Sequence, residues 1–391
     1  MIVKPKIRGF ICTTAHPTGC AAHVQEQIEH VQKSAALTDG PKRVLVLGAS
    51  GGYGLASRIV SAFGAGAATI GVSFEREPTE TKTGLAGWYN NAAFDAQAEK
   101  AGLYAKTFNG DAFGDEMKQN VIETIKADLG EIDLLVYSLA SPVRQHPKTG
   151  VLHRSVIKPL GETYHVKTLD FNRGIVSEVD LEPADEEETA NTVAVMGGED
   201  WEFWIDALQQ AGVLAQGFKT YSFNYIGSEL TWPIYWHATL GRAKEDLDRA
   251  AGVLRQRLEP VAGDARVVTL KAVVTQASAA IPVVPLYATL LYRVMKDRNI
   301  HEVPIEHIDR LFREGLYGPE SLVEDEAGRL RHDVWELADD VQADVKARWP
   351  EVTTENVLEL ADLEGFRSDF LRIFGFGIDG VDYEADVSPL V

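Results

Sequence analysis

The stretch "VLVLGASGGYGLASRIV", residues 44–60, decides the fold. Its first four residues are all apolar, the pattern of a strand buried on both faces of a sheet. Gly48, Gly52 and Gly54 follow in the spacing G-x-x-x-G-x-G, and an amphipathic helix is expected to run on to Gly64. Missing Cβ atoms let the backbone turn sharply and come close to a pyrophosphate. The helix N-terminus presents free N–H groups and the positive end of its dipole. Glycine-rich turns are common, but a strand before and a helix after give this one the context of a dinucleotide-binding turn.

Outward from that turn, short apolar runs alternate with helix-length stretches. This predicts an α/β fold with a Rossmann-type doubly wound parallel sheet. The expected strands cover 43–47, 68–74, 103–109, 132–139 and 267–274. Upstream, Cys20, Val24, Ile28 and Val31 recur at helical spacing and predict an N-terminal helix packed on the sheet. Ligands bind such sheets at the carboxyl ends of the strands. Glu75, after Phe74 and 21 residues beyond Gly54, is placed there to accept both adenosine ribose hydroxyls and to repel a 2′-phosphate. Arg76 beside it carries the charge that would hold one. Asp111 and Ala112 follow the third strand, and Leu139 and Ala140 end the fourth, at the same edge.

The chain has 391 residues, 45% hydrophobic and 25% charged, an ordinary folded composition with length for a large core. Lys and Arg total 38 against 58 Asp and Glu, and the resulting net charge of −20 opposes nucleic acid and anionic lipid. Two cysteines, Cys12 and Cys20, make no disulfide framework, and nothing at the N-terminus reads as a signal peptide, so a cytoplasmic location is expected. The longest apolar run, 279–292, is too short for a bilayer and contains Pro282 and Pro285. It reads as a core helix.

The segment "TYHVKTLDFNRGIVSEVD" alternates in polarity around Asn172, Arg173 and Gly174 and predicts a β-hairpin. The acidic run Asp185 to Glu188 reads as a solvated loop feeding a helix start near Thr189. From Val303 the chain looks helical, with Val334, Leu337, Val341 and Val345 on one face and Thr354 as the cap before Val357 and Leu358. The expected organisation is a single unit over 1–391. Its Rossmann-type core takes 42–150 and 200–300, a hairpin-containing insertion 151–199, and a helical C-terminal cap packed on the core 301–391. Because insertion and tail can cover exposed surfaces, a monomer is expected.

Residues 221–244, "YSFNYIGSELTWPIYWHATLGRAK", carry the chemistry. A phenol near a lysine ammonium has its phenolate favoured and becomes a proton donor and acceptor near neutral pH. Tyr225, Tyr235 and Lys244 are the candidates. Neither tyrosine has a lysine four positions on; Tyr235 and Lys244 form Y-x8-K. On an ideal helix nine positions are about 180° of rotation, which puts that pair on opposite faces, whereas Arg242 would share a face with Tyr235. If Pro233 opens the helix, Tyr235 sits in an irregular first turn within reach of Lys244. Periodicity leaves both cations open.

The opening "MIVKPKIRGFICTTAHPTGC", the turn "GASGGYG" and the Y-x8-K of "YWHATLGRAK" closely resemble the FabV-type enoyl-ACP reductases. These are relatives of the trans-2-enoyl-CoA reductases and outlying members of the short-chain dehydrogenase superfamily. The likeness runs over essentially the whole chain. One difference is Glu245 after Lys244, where the family often has a second lysine. The resemblance implies NADH-dependent reduction of the carbon–carbon double bond of an enoyl-ACP or enoyl-CoA thioester, the last reductive step of fatty acid elongation. It implies Tyr235 as proton donor, Tyr225 as a substrate contact, and Lys244 on the nicotinamide ribose. It further implies that NADH is lined by Gly48, Ala49, Ser50, Gly51, Gly52 and Tyr53, by Phe74 and Glu75, and by Asp111 and Ala112. Leu139, Ala140, Val273, Val274 and Thr275 complete that lining. A carbonyl reductase of the same superfamily and a non-catalytic NADH-binding protein are the rival readings.

Two further signals are weaker. Cys12, His16, Cys20 and His23 match no compact zinc spacing, so no metal site is expected. Residues 143–159 hold Arg144, Lys148, Arg154 and Lys158 and no carboxylate. They form either a solvated loop or a landing patch for the substrate's phosphates or an acyl carrier protein.

Overall fold

Side-chain alternation along β1 (Arg43–Leu47) builds two cores at once: Val44 and Val46 face one layer of helices, Leu45 and Leu47 the other, all fully buried. The computed structural model describes residues 1–319 and 322–391. The other strands of the main sheet are β2 (Ala68–Ser73), β3 (Ala105–Asn109), β4 (Ile132–Tyr137), β5 (Leu214–Asn224), β6 (Asp264–Thr269), β7 (Val323–Glu324) and β8 (Leu330–Arg331). Their order is β7-β8-β6-β5-β4-β1-β2-β3, and only β7 runs antiparallel to its neighbour. From β3 to β6 this is the doubly wound order, whose reversal between β1 and β4 opens a crevice at the carboxyl ends.

On one face α1 (Pro17–Gln32), α2 (Gly52–Ile59) and α3 (Ala86–Lys100) contribute Val24, Ile28, Leu55, Ile59 and Phe94. On the other lies α4 (Asp115–Thr124), followed by α5 (Glu186–Met196) at the end of the insertion and then by α6 (Glu199–Gln210) and α7 (Thr239–Arg257). Trp201 and Trp204 are fully buried there, as packing residues. The apolar run after β6 forms α8 (Val284–Asp297), the centre of a third core. Then α9 (Pro304–Arg310) returns to the first face, and α10 (Asp339–Glu351), α11 (Val357–Leu360) and α12 (Leu363–Ile373) pack in the third. Among the described residues no helix is long and apolar enough to cross a membrane.

The hairpin of the insertion pairs Tyr164–Asp170 with Ile175–Leu181 and bends at Gly174, whose φ is +73°. Elsewhere the structure differs from expectation. β5 was not foreseen as a strand, because Thr220, Ser222 and Asn224 break its apolar pattern. All three are nonetheless buried, and Trp201 Nε1 donates to Thr220 Oγ1 at 2.9 Å. β6 stops at Thr269 rather than 274. α2 ends at Ile59 and widens into π-type turns over Val60–Gly64. The acidic run is no loop: Asp185 caps α5 in a capping box with Glu188, so its charges sit at the favourable end of the helix dipole. The segment after 301 is not wholly helical, since it adds β7 and β8. Val341 and Val345 are buried in α10, but Val334 and Leu337 lie in turns before it, and Val334 is exposed. Thr354 does not cap α11; its hydroxyl brackets the Val176 backbone of the hairpin at 3.0 and 3.2 Å, and Asn356 takes the cap position.

Candidate active site

The glycine turn after β1 has no room for side chains at Gly48 and Gly54. Gly48 has φ +85°, and a Cβ there would lie 2.2 Å from Ser138 O; a Cβ on Gly54 would lie 2.0 Å from Gly48 O. Gly52 has φ +52° and faces Thr275 Cγ2, which brings the loop after β6 over the turn. Gly51 caps α2 without a side-chain hydrogen bond, so the first-turn N–H groups stay open. Ala49 is buried with its N–H on Val72 O (3.1 Å), and Ser50 Oγ donates to Glu75 Oε1 (2.6 Å). Glu75 is half-buried. Its N–H donates to Asn109 Oδ1 (2.7 Å), and Asn109 Nδ2 returns the bond to Glu75 O (2.9 Å). Burial pushes its carboxyl pKa up, and the Ser50 bond pulls it back. Gly87 makes space for it, since a Cβ there would lie 2.1 Å from Glu75 Oε1. Phe74 beside it is 75% exposed, an uncovered aromatic face. Arg76 is engaged by Thr83 O at 3.3 Å.

Asp111 Oδ1 accepts from Phe113 N–H (2.9 Å) and Ala112 O from Trp204 Nε1 (3.0 Å), which shapes the loop after β3. Leu139 is half-buried and Ala140 exposed after β4. Val273 and Val274 are buried in the loop after β6, where the backbone and hydroxyl of Thr275 bond Ser278 at 2.8 and 3.0 Å. The Tyr53 side chain turns away from the turn it belongs to: its hydroxyl donates to Lys271 O (2.8 Å) and its ring lies against Phe223 and His307. Tight glycines, open helix N–H groups and a carboxylate beyond the second strand fit a dinucleotide.

Across the crevice, Tyr225 follows β5 and Tyr235 lies in irregular turns before α7, their rings edge to face at 5.0 Å. Tyr235 is therefore not on the helix, and the opposite-faces objection to Lys244 does not apply. Tyr235 packs on the cluster of Leu240, Ile281 and Val284, and Lys244 sits one turn beyond Leu240 along the same face of α7. Arg242 is exposed and paired with Glu245 at 2.8 Å. Neither the Tyr235 hydroxyl nor Lys244 Nζ hydrogen-bonds within the protein among the described residues. Burial pushes the Lys244 ammonium down to about 8. Burial also pushes the Tyr235 phenol up, with no offset from Lys244, so the phenolate is not favoured and the proton stays on. The group is a donor.

Sequence reasoning missed Glu336. It is fully buried; Oε1 accepts from Tyr225 OH (3.0 Å) and Tyr287 OH (2.8 Å), and Oε2 accepts from Ala272 N–H (2.6 Å). It thus joins Tyr225, α8 and the loop after β6 from 111 residues away in sequence. The 143–159 patch is a correction. Arg144 is buried and bonded to Glu199 (2.8 Å), and Lys158 is paired with Glu188 (2.6 Å), because α5 and α6 bring carboxylates against the segment. Among the described residues only Lys148 and Arg154 of the four make no ion pair, so it is no concentrated cationic surface. His16 Nδ1 caps α1 by accepting from Gly19 N–H (3.0 Å), and burial holds the Cys20 thiol protonated.

Residues 82–317 match the family model described as the trans-2-enoyl-CoA reductase catalytic region, and residues 2–80 the NAD(P)H binding domain of trans-2-enoyl-CoA reductase. Residues 324–387 match a model described as an enoyl reductase FAD binding domain. The residues there do not fit a flavin: Val341, Val345, Phe366 and Phe370 are spent in the core around α8, and Gly375 is pressed against α1, where a Cβ would lie 2.4 Å from Cys20 N. The chain is 59% identical to the enoyl-[acyl-carrier-protein] reductase [NADH] of Edwardsiella ictaluri, over 100% of this chain and 98% of that protein. The identity is also 59% to the enoyl-[acyl-carrier-protein] reductase [NADH] FabV of Aeromonas salmonicida, with the same coverage. The crystal structure of Treponema denticola trans-2-enoyl-CoA reductase in complex with NAD superposes with a TM-score of 0.95 at 51% identity, covering 99% of this chain and 98% of that one. With that match over the full length, the chain belongs to the enoyl reductase family of FabV and the trans-2-enoyl-CoA reductases.

Proposed function

We propose that this chain reduces the carbon–carbon double bond of trans-2-enoyl thioesters to the saturated acyl thioester with NADH, with Tyr235 as proton donor and Lys244 as its cationic neighbour. The observation that carries the assignment of roles is that Tyr235 and Lys244 are half-buried polar groups without hydrogen-bond partners among the described residues, whereas the hydroxyls of Tyr225, Tyr287 and Tyr53 are all engaged. Bound NADH supplies hydride to the β-carbon. Negative charge then develops on the thioester oxygen, where the Tyr235 O–H hydrogen-bonds it and delivers a proton, directly or through water. Lys244, charged below about pH 8, holds the nicotinamide ribose. Tyr225, anchored by Glu336, contacts the acyl thioester.

The cofactor's pyrophosphate lies on the turn Gly48, Ala49, Ser50, Gly51 and Gly52, with Tyr53 contributing backbone only. Phe74 and Glu75 take the adenosine. Asp111, Ala112, Leu139 and Ala140 line one side of the crevice, and Val273, Val274 and Thr275 the other. The test is NADH oxidation with crotonyl-CoA and identification of the product. A saturated thioester with no alcohol supports the reading; an alcohol makes the chain a carbonyl reductase, and no turnover with any enoyl thioester makes it a binding protein.

A further inference from the structure

The chain carries a net charge of −20, yet its first acidic residue is Glu26, and Lys4, Lys6 and Arg8 precede it. Ile7–Arg8 and Ile11–Cys12 pair as a small antiparallel hairpin turning at Gly9, whose φ is +58°. Buried Val3 and Cys12 anchor it, while Ile7, Phe10 and Ile11 are 38%, 46% and 40% exposed. Lys4 pairs with Glu384, but the exposed Lys6 and Arg8 make no ion pair among the described residues. Asn172 Nδ2 donates to Gly9 O (2.6 Å), which sets the tip of the 164–181 hairpin, with its exposed Arg173 paired to Asp170 at 4.0 Å, against the same surface.

Ala15, three residues beyond the hairpin, donates its N–H to Thr83 Oγ1 (3.4 Å), and Gly84 N–H donates to Tyr89 OH (2.9 Å) in the segment that leads to Gly87 beside Glu75, which ties the hairpin's base to the chain at the Glu75 end of the crevice. Exposed Ile7, Phe10 and Ile11 flanked by the uncompensated Lys6 and Arg8 make the composition of an interface with an acidic partner. On an otherwise acidic molecule such a spot steers that partner's approach.

We propose that this hairpin docks the acidic carrier protein that delivers the enoyl chain, with Lys6 and Arg8 on its carboxylates and Ile7, Phe10 and Ile11 on its apolar side chains. The proposal rests on the enoyl-thioester reading above. It makes the hairpin irrelevant to the same acyl group on coenzyme A, which brings no protein surface.

The experiment compares crotonyl-loaded acyl carrier protein with crotonyl-CoA for the unmodified chain, the double variant Lys6→Glu/Arg8→Glu, and Phe10→Ser. The expected result is a KM for the carrier substrate about tenfold higher in the double variant, a smaller rise for Phe10→Ser, and a weaker salt dependence. The crotonyl-CoA and NADH constants stay unchanged. A carrier in which acidic surface residues are changed to lysine recovers the loss. Equal losses on both substrates mean the hairpin only supports the fold, and an unchanged carrier KM means the carrier docks elsewhere; either overturns the proposal. A shift in oligomeric state on charge reversal assigns the surface to a second copy of this chain and overturns it as well. Absence of turnover in the unmodified chain with both substrates refutes the enoyl-reductase reading instead.

Discussion

Replacing Gly54 by alanine tests the cofactor turn at its tightest point. The added Cβ would lie 2.0 Å from Gly48 O and 3.0 Å from Gly48 C, both backbone atoms that cannot rotate away. Carbon–oxygen contacts settle near about 3.3 Å, so the start of α2 must retreat by roughly 1 Å. That takes a first-turn N–H out of hydrogen-bond range of a diphosphate oxygen. Such a bond to a charged group is worth about 1.5–3 kcal/mol, or roughly a 10- to 150-fold weaker NADH Kd. Crowding also costs about 1–3 kcal/mol of stability. Fluorescence titration with NADH, run beside thermal unfolding, reads both. Gly252→Ala in α7 is the control, because its Cβ meets nothing nearer than Arg255 at 4.0 Å. A folded Gly54→Ala protein that binds NADH as tightly as this control refutes the placement of the pyrophosphate.

Glu75→Ala should narrow the preference for NADH over NADPH by about tenfold, read as the ratio of kcat/KM values, through loss of the ribose bonds and of repulsion toward a 2′-phosphate. Lys244→Ala should lower both turnover and NADH affinity, whereas Arg242→Ala should leave both within about twofold, since its exposed ion pair contributes little. Above about pH 8 kcat/KM should fall as Lys244 loses its charge. Stability should move the other way: a lysine titrating lower in the folded state than in the unfolded chain binds fewer protons when folded, so its contribution to stability rises from about pH 8 to 10.5. Activity and unfolding profiles that fall together would refute that assignment. Glu336→Gln should raise the enoyl substrate KM more than the NADH constant and cost about 1–3 kcal/mol in unfolding, because an amide replaces one of the two oxygens that accept from Tyr225, Tyr287 and Ala272 by an NH2 donor.

Much of the fold was legible because local pattern and tertiary role agreed. Val44, Leu45, Val46 and Leu47 are apolar since both faces of β1 are covered, and Cys20, Val24, Ile28 and Val31 repeat because one face of α1 packs. β5 was not legible: its buried Thr220 is satisfied by Trp201, a partner that only the fold supplies. The same limit hid Glu336, whose three donors come from β5's exit, α8 and the loop after β6. It also misread the 143–159 cations, which count as free along the chain until Glu188 and Glu199 arrive on α5 and α6. Helix periodicity favoured Arg242 only while Tyr235 was assumed to be helical; the irregular turns before Thr239 remove that assumption.

The central claim is that the Tyr235 hydroxyl delivers the proton, and the most direct measurement is steady-state turnover of Tyr235→Phe with crotonyl thioester, alongside its NADH dissociation constant. The substitution deletes one oxygen that bonds nothing else in the protein among the described residues, so the fold and NADH affinity should be retained. Turnover should fall about 10²- to 10³-fold, the cost of losing one donor to a developing oxyanion. Turnover near that of the unmodified chain, with Tyr225→Phe inactive instead, would contradict the account.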